Sequence, residues 1–152
     1  MLNRRAVILL VEDSDDDADL TVRALRRNNV VNEVVRVADG VEALDYLAAT
    51  GPYADRDRSD LPELILLDLK LPRLSGLDVL EELGQNGIST QVPIVVLTSS
   101  IEERDLERAY ALGANSYVQK PVDFEQFTQA VSTIGMYWLL VNESPHAMPT
   151  GR

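Results

Sequence analysis

Short runs of apolar residues alternate along the chain with longer stretches in which apolar residues recur every three or four positions. Continuous runs lie at residues 6–11, 64–67 and 94–97, and two more polar segments of strand length lie at residues 33–37, as expected near a sheet edge, and 116–119. A continuous apolar run of this length predicts a strand, and one that is covered on both faces. The periodic stretches predict helices over residues 14–28, 39–49, 76–85, 101–112 and 123–141. Strands that alternate with helices in this way predict an α/β protein with a parallel sheet and helices on both faces.

The sequence also predicts the ends and the buried faces of some helices. Ser14 and Asp17 have the spacing of a capping box, in which each side chain accepts a hydrogen bond from the backbone of the other residue. Gly113 is placed to end the fourth helix. The stripes expected to face the sheet are Ala18, Val22 and Leu25 in the first helix, and Val41, Leu44 and Leu47 or Ala48 in the second. Residues 50–62, which carry two prolines and several charges, predict a solvated loop.

The composition excludes several classes of protein. The chain has 152 residues, of which 45% are hydrophobic and 26% are charged, and it contains no cysteine. These values predict one globular domain and exclude disulfides, thiolate metal sites and a cysteine nucleophile. The formal net charge of −11 argues against binding to nucleic acids or anionic membranes, which require basic patches. Because no apolar run is long enough for a signal peptide or a membrane span, we expect a cytoplasmic protein.

Polar side chains follow directly after four of the predicted strands. Glu12 and Asp13 come after the first strand, Asp68 after the third, Thr98 after the fourth and Lys120 after the fifth. The carboxyl ends of parallel strands lie at one edge of the sheet, where such sheets bind ligands, so we expect these side chains to converge. Taken alone, Glu12 or Asp13 is equally well explained as an acid that caps a helix. That explanation does not account for the whole set.

Three carboxylates in close contact require a partner. Two like charges about 4 Å apart repel by about 4 kcal/mol at an effective dielectric constant of about 20, so either one carboxyl group is protonated or a cation binds. A set of oxygen ligands suits a hard divalent ion, Mg²⁺ first. With Mg²⁺ and the ammonium of Lys120, the charges of Glu12, Asp13 and Asp68 are balanced, and a phosphoryl group can approach. Asp68 would then be the nucleophile that becomes an aspartyl phosphate.

Four short motifs, in this order, resemble the receiver domain of two-component response regulators. They are Val11-Glu12-Asp13, the spacing Asp-x₃-Pro-x₃-Gly from Asp68 to Gly76, Thr98-Ser99 and Lys120-Pro121. The resemblance extends over residues 5–141. It implies a flavodoxin-like fold, with a doubly wound sheet of strand order 2-1-3-4-5 and an extended C-terminal helix. Only a tail over residues 142–152 is left, so we expect residues 1–152 to form a single receiver domain with no output domain.

The resemblance implies a role for each residue at the sheet edge. Asp68 would accept the phosphoryl group, and Thr98 and Lys120 would contact its oxygens. Such a protein is not a dedicated enzyme, although it catalyses its own phosphorylation and slow dephosphorylation. The residues implied to hold Mg²⁺ are Asp13, Asp68 and the backbone carbonyl of Lys70 as direct ligands, and Glu12 through water.

The phosphoryl group would come from another protein, a sensor histidine kinase. The only histidine of the chain, His146, lies in the tail beside proline and does not suit the role of donor.

The resemblance also implies how the signal leaves the site. Tyr117 matches an aromatic switch residue that turns inward when the phosphoryl group draws Thr98 toward it, and the output surface would comprise helix 4, strand 5 and helix 5. Tyr117 is also explained as an aromatic residue of an edge strand that packs on the fourth helix. The peptide bond before Pro121 would be cis. The residues implied to tune the lifetime of the phosphoryl group are Lys70, Ser99 and Ser100.

The last predicted helix carries more apolar surface than a monomer ordinarily exposes. One stripe, expected to face the sheet, comprises Phe124, Phe127, Val131, Ile134, Trp138 and Val141. Other faces of the final turns are apolar as well, so we expect a homodimer contact that includes Tyr137, Trp138 and Leu140, unless the tail covers this patch. This end and the long loop before the third strand resemble phytochrome-associated receivers, which makes a bacterial phytochrome a candidate kinase.

Three functions remain open at this point. The chain is a receiver that is phosphorylated on Asp68, a scaffold that docks a partner without phosphorylation, or a phosphorelay intermediate that passes the group to a histidine-containing protein. The complete set of residues at the sheet edge favours the first.

Overall fold

The computed structural model describes residues 6–27, 29–99, 102–133 and 135, with the backbone alone for Phe124. Strands and helices alternate throughout this part of the chain, as predicted. They are β1 Val7–Val11, α1 Asp15–Arg27, β2 Glu33–Val37, α2 Gly40–Ala48, β3 Leu64–Asp68, α3 Gly76–Gln85, β4 Ile94–Thr98, α4 Glu103–Ala111, β5 Ser116–Gln119 and α5 Phe124–Thr133. Two short 3₁₀ turns lie at Gly51–Tyr53 and Ile88–Thr90.

The strands form one parallel sheet in the order β2-β1-β3-β4-β5, which confirms the predicted flavodoxin-like topology. The strand order reverses between β1 and β3. In open α/β sheets, ligands bind beyond the carboxyl ends of the strands at such a reversal. The topology therefore predicts a ligand site at the residues that follow β1 and β3.

A hydrophobic core lies on each face of the sheet. Ile8 and Leu10 of β1 point into the core that includes α1 and α5, whereas Leu9 and Val11 point into the core that includes α2 and α3. Both faces of the central strands are thus covered, as their continuous apolar runs predicted. Among the described residues, no helix combines the length and the apolar character needed to cross a bilayer.

The stripe predicted for α2 is partly wrong. Leu47 is buried and half-buried Leu44 packs against the core, as expected, but Val41 does not belong to this core, and Ala43 and Tyr46 are buried in its place. The reason is a close approach to α3 at the start of the helix. A Cβ on Gly40 would lie 2.8 Å from the side chain of Val79 in α3, so the first turn of α2 contacts α3 through a glycine.

The segment between α2 and β3 is not simply a solvated loop. Tyr53 and Leu61 pack against the core, and the ring of Tyr53 meets that of Tyr46 edge to face, with 5.2 Å between ring centroids. The guanidinium of Arg56 lies 3.8 Å from the centroid of the Tyr46 ring, and the hydroxyl of Tyr53 donates to Glu42 at 2.7 Å. Aromatic and cation–π contacts therefore attach this segment to α2.

The C-terminal helix is present, but it does not run without a break to residue 141. Helix α5 ends at Thr133, and Gly135 has a φ of 79°, a left-handed conformation that ends helices. The expectation of an α-helix continuing through Gly135 is therefore wrong. Residues 136–152, which include the predicted contact residues Tyr137, Trp138 and Leu140, lie outside the described part of the chain.

Candidate functional site

The ends of four strands bring the predicted residues to one edge of the sheet. Glu12 and Asp13 follow β1, Asp68 and Thr98 are the last residues of β3 and β4, and Lys120 follows β5. Backbone hydrogen bonds extend the sheet to this edge, since the amide of Glu12 donates to Val37 and that of Lys120 donates to Thr98. The strand ends therefore place these five residues at one edge of the sheet.

Three of these residues form an acidic cluster, Glu12, Asp13 and Asp68. One carboxylate oxygen from each lies within 4.8 Å of the others. Glu12 is fully buried and Asp68 nearly so, whereas Asp13 is exposed at the mouth of the site. Three oxygen donors at this spacing, with an open side, fit a small divalent cation that keeps some of its water.

The ammonium of Lys120 joins this cluster to a fourth carboxylate. Its Nζ donates to Glu12 Oε1 and Asp17 Oδ2, each at 2.9 Å, and to Asp68 Oδ2 at 3.3 Å. The Lys120 side chain is only 9% exposed, so these ion pairs are largely shielded from solvent. The peptide bond between Lys120 and Pro121 is cis, as the family resemblance implied.

Burial and pairing act against each other on the pKa values of Glu12 and Lys120. Burial raises the pKa of Glu12 above its ordinary value, and the negative charge of Asp68 adds to the rise, although the hydrogen bond from Lys120 opposes it. Burial alone would lower the pKa of Lys120, but its hydrogen bonds to Glu12 and Asp17 and the charge of Asp68 raise it overall. The partners of Lys120 therefore favour its charged form.

The turn after β3 also holds the carboxylate of Asp68 in place through a backbone hydrogen bond. The amide of Lys70 donates to Asp68 Oδ1 at 3.1 Å, so both carboxylate oxygens have a donor. Gly76 returns the chain to the strand, and its amide donates to the carbonyl of Leu69 at 2.9 Å. A Cβ on Gly76 would lie 2.6 Å from the Cα of Leu69, which explains why this position of the turn carries glycine.

Asp17 does not complete the predicted capping box. Ser14 caps α1 as expected, since its Oγ accepts from the amide of Asp17 at 3.1 Å. The reciprocal bond is absent among these residues: the amide of Ser14 donates to Glu12 Oε2 at 3.3 Å, and the carboxylate of Asp17 pairs with Lys120. The prediction is wrong because the buried ammonium competes for the carboxylate, and an ion pair outweighs a neutral amide donor.

The extra carboxylate also changes the predicted charge balance. Four carboxylates and the ammonium of Lys120 give this group a formal net charge of −3, so a divalent cation leaves −1 rather than zero. Sequence reasoning missed this contact because Asp17 and Lys120 are far apart along the chain. The signal that could have identified it is the position of Asp17, one helical turn beyond the acidic end of β1.

The guanidinium of Arg36 is a second contact that the sequence did not reveal. Its Nε donates to the backbone carbonyl of Glu12 at 2.9 Å, and its Nη1 pairs with Asp15 at 2.6 Å. Arg36 thereby ties β2 and the start of α1 to the end of β1.

Tyr117 lies at the surface rather than behind Thr98. Tyr117 is 37% exposed, and its ring contacts that of Tyr110 of α4 edge to face, with 6.5 Å between the ring centroids. This is the arrangement expected of an edge-strand aromatic packed on the fourth helix. Thr98 is buried, Lys70 and Ser99 are exposed near the site, and Ser100 lies outside the described residues.

The chain matches the response regulator receiver domain family over residues 8–132. That match covers most of its length, so the chain belongs to this family and is a receiver of two-component signalling. The probable methanogenesis regulatory protein FilR2 of Methanothrix harundinacea is 41% identical over 139 residues, which make up 91% of this chain and 87% of that protein.

Several similar structures are response regulators of phytochromes. The bacteriophytochrome response regulator AtBRR is 48% identical, with a TM-score of 0.81 over 93% of this chain and 100% of that one. The phosphorylated cyanobacterial phytochrome response regulator RcpA is 41% identical, with a TM-score of 0.73 over 90% and 95%. The Mn²⁺-bound response regulator Rcp1, a Synechocystis protein, is 38% identical, with a TM-score of 0.71 over 88% and 94%. The predicted resemblance to phytochrome-associated receivers is thus confirmed.

Proposed function

We propose that this receiver accepts a phosphoryl group on Asp68 from a sensor histidine kinase. The observation that carries the proposal is the contact between Asp68 and Lys120, 3.3 Å apart, at the centre of the acidic cluster. The buried ammonium is placed to stabilise negative charge on a group that bonds to Asp68. A structural role alone would not require three carboxylates around one lysine, since like charges in contact cost stability.

In the proposed step, a carboxylate oxygen of Asp68 attacks the phosphorus atom of the donor's phosphohistidine. A P–O bond to Asp68 forms while the P–N bond to the histidine breaks, and the electron pair of that bond stays on the imidazole. Lys120 donates to the phosphoryl oxygens, and Thr98, at the end of the adjacent strand, is assigned to them as well. Water then attacks the phosphorus atom, the P–O bond to Asp68 breaks, and inorganic phosphate leaves with the carboxylate restored. The chain thus catalyses both steps on itself without being a dedicated enzyme.

The donor atoms of the acidic cluster fit Mg²⁺, the cation that the sequence predicted. Hard carboxylate oxygens are its preferred ligands, and the exposure of Asp13 leaves room for water and for a phosphoryl oxygen. We assign Asp13, Asp68 and the carbonyl of Lys70 as ligands, with Glu12 acting through water. When bound, Mg²⁺ would neutralise charge on the phosphoryl oxygens. The Mn²⁺-bound form of Rcp1 supports a divalent ion in a protein of this kind.

Labelling by acetyl phosphate tests the proposal without a kinase. Wild-type protein should incorporate phosphate only when Mg²⁺ is present, and Asp68→Asn should incorporate none. Asp78→Asn is the matched control, because it removes an exposed carboxylate of α3 while leaving the site intact, and it should be labelled like the wild type. Absence of label in the wild type would favour the scaffold function. Return of the label to a histidine-containing protein would favour the phosphorelay function.

The signal is proposed to leave through the surface formed by α4, β5 and α5. Tyr117 supports this, because its exposed ring rests on Tyr110 of α4 and could turn inward when Thr98 moves toward the phosphoryl group. Thr98, Tyr117 and Pro121 form the proposed switch. Tyr117→Ala should keep its labelling but lose any difference in partner binding between the free protein and the beryllofluoride-treated protein. An unchanged difference would exclude Tyr117 from the switch.

A bacterial phytochrome is the proposed kinase, and the cytoplasm the proposed location. The similarity to AtBRR and RcpA, both of them phytochrome response regulators, supports this partner. Phosphorylated phytochrome and an unrelated phosphorylated kinase can be compared as donors in short incubations. Faster transfer from the unrelated kinase would contradict the assignment.

Two further parts of the proposal concern lifetime and assembly. Lys70, Ser99 and Ser100 are proposed to tune dephosphorylation, so Lys70→Ala should change the decay rate but not the final extent of labelling. Unchanged decay would remove Lys70 from this role.

A homodimer through Tyr137, Trp138 and Leu140 is proposed from the sequence. Light scattering that finds only a 16.9 kDa species would contradict it.

A further inference from the structure

The ammonium of Lys120 has one carboxylate partner that lies outside the acidic cluster. Asp17 is in the first turn of α1, its side chain is 38% exposed, and its Oδ2 is 2.9 Å from Nζ. That distance equals the one to buried Glu12 and is shorter than the one to Asp68. An ammonium has three N–H donors, so Glu12, Asp17 and Asp68 provide one partner for each.

Formation of an acyl phosphate would disturb only one of these three hydrogen bonds. Asp68 loses its negative charge when its oxygen bonds to phosphorus, so the donor that it shared becomes available to a phosphoryl oxygen. The bonds to Glu12 and Asp17 can persist through this exchange. They come from two different elements, the end of β1 and the first turn of α1, and together they fix the end of a flexible side chain.

We infer that Asp17 is a positioning residue that holds the Lys120 ammonium where the phosphoryl group arrives. It acts through Lys120 and does not itself contact the group. This inference rests on the proposed function. If Asp17 is absent, Glu12 alone anchors the ammonium, and small displacements of a charged group from its working position reduce rates strongly.

A simple charge effect predicts the opposite sign. Asp17 adds a negative charge near the mouth of the site, where it repels an incoming phosphoryl donor. If repulsion were its main effect, its removal would speed phosphorylation, and removal of the exposed Asp16 on the same turn would do so too. Positioning instead predicts that only the loss of Asp17 matters, and that it slows the reaction.

Acetyl phosphate labelling at saturating Mg²⁺ separates the two effects. We expect Asp17→Asn to lower the rate at saturating donor about tenfold or more, with little change in the half-saturating donor concentration. Asp16→Asn, the matched control, should retain the wild-type rate, and Asp17→Glu, which keeps a carboxylate of longer reach, should recover most of it. Equal rates in the wild type and Asp17→Asn, or a faster Asp17→Asn, would overturn the inference.

A second readout does not depend on phosphorylation. The hydrogen-bonded ammonium of Lys120 should give a distinct ¹H–¹⁵N NMR signal that shifts or broadens in Asp17→Asn but not in Asp16→Asn. An unchanged signal in Asp17→Asn would show that the charge of Asp17 does not hold the ammonium and would overturn the inference. Wild-type protein that is not labelled at all, while this signal responds as expected, would instead contradict the proposed function.

Discussion

The turn behind Asp68 has no room for a side chain at Gly76, so one substitution should have opposite effects at two glycines of α3. A Cβ at Gly76 would lie 2.6 Å from the Cα of Leu69 and closer still to the carbonyl oxygen of Asp68. Both are backbone atoms, and relief of the contact must move the segment that carries Asp68. At exposed Gly84 the nearest atom, the carbonyl oxygen of Leu112, is 3.7 Å away, which is an ordinary contact.

The magnitudes follow from two competing effects. Alanine is favoured over glycine in a helix by about 0.5–1 kcal/mol, whereas overpacking of a tight site costs about 1–3 kcal/mol. Gly84→Ala gains the first without the second and should stabilise the fold. Gly76→Ala should be destabilised by a net amount of about 1–2 kcal/mol, which lowers the melting temperature of a chain of this size by about 2–8 °C.

Thermal unfolding followed by circular dichroism measures both variants, and acetyl phosphate labelling shows whether Asp68 is displaced. We expect Gly76→Ala to melt below the wild type and to be labelled more slowly. Gly84→Ala should melt above the wild type and be labelled normally. If Gly76→Ala is as stable as Gly84→Ala and is labelled at the wild-type rate, the argument from close packing is wrong.

Three other predictions concern stability. Ser14→Ala removes the N-cap of α1 and should lower the free energy of unfolding by about 1 kcal/mol in urea titrations, and an unchanged value would exclude a capping role. Tyr53→Phe removes the hydrogen bond to Glu42 and should cost about 1–2 kcal/mol at neutral pH. Burial, followed by the hydrogen bond to Glu42, raises the pKa of Tyr53 to about 12. The folded-state pKa of Tyr53 therefore lies above the unfolded one, so the stabilisation is complete below pH 10 and is lost as the pH approaches about 12. The difference in unfolding free energy between wild type and Tyr53→Phe should disappear over that interval. A difference that stays constant with pH would contradict this prediction. Mg²⁺ at a hundred times its dissociation constant should stabilise the protein by about 2.7 kcal/mol at neutral pH. The raised pKa of Glu12 means that its contribution in the metal-free protein is present at low pH and lost as the pH rises through that pKa. Protons then compete with the cation at low pH, so calorimetry should find a smaller effect of Mg²⁺ there, and an equal effect at both pH values would count against the carboxylate ligands.

Much of the fold could be predicted because the buried strands are continuous apolar runs. The runs that became β1, β3 and β4 are apolar up to the polar residue that follows or ends each strand, so their extent was evident, and alternation with helices predicted the parallel sheet. The candidate site at the edge of the sheet followed from the same feature, since Glu12 and Asp68 come directly after apolar runs. These predictions needed no knowledge of contacts between distant residues.

The features that the sequence did not reveal depend on tertiary contacts. Helix α2 has apolar residues on several faces, and only the close approach at Gly40 decides that Ala43 and Tyr46 turn inward. Asp17 has the sequence position of a capping residue, and only the arrival of Lys120 from the far end of the chain gives it another partner. The attachment of the segment after α2 likewise depends on where Arg56 meets Tyr46.

Identification of the phosphorylated residue by mass spectrometry tests the central claim most directly. Full-length protein would be treated with acetyl phosphate and Mg²⁺, digested under conditions that preserve acyl phosphates, and compared with a sample in which the cation is chelated. We predict one modified residue, Asp68, and no modification in the chelated sample. A phosphoryl group on another residue, or an unmodified Asp68 in the presence of Mg²⁺, would contradict the account.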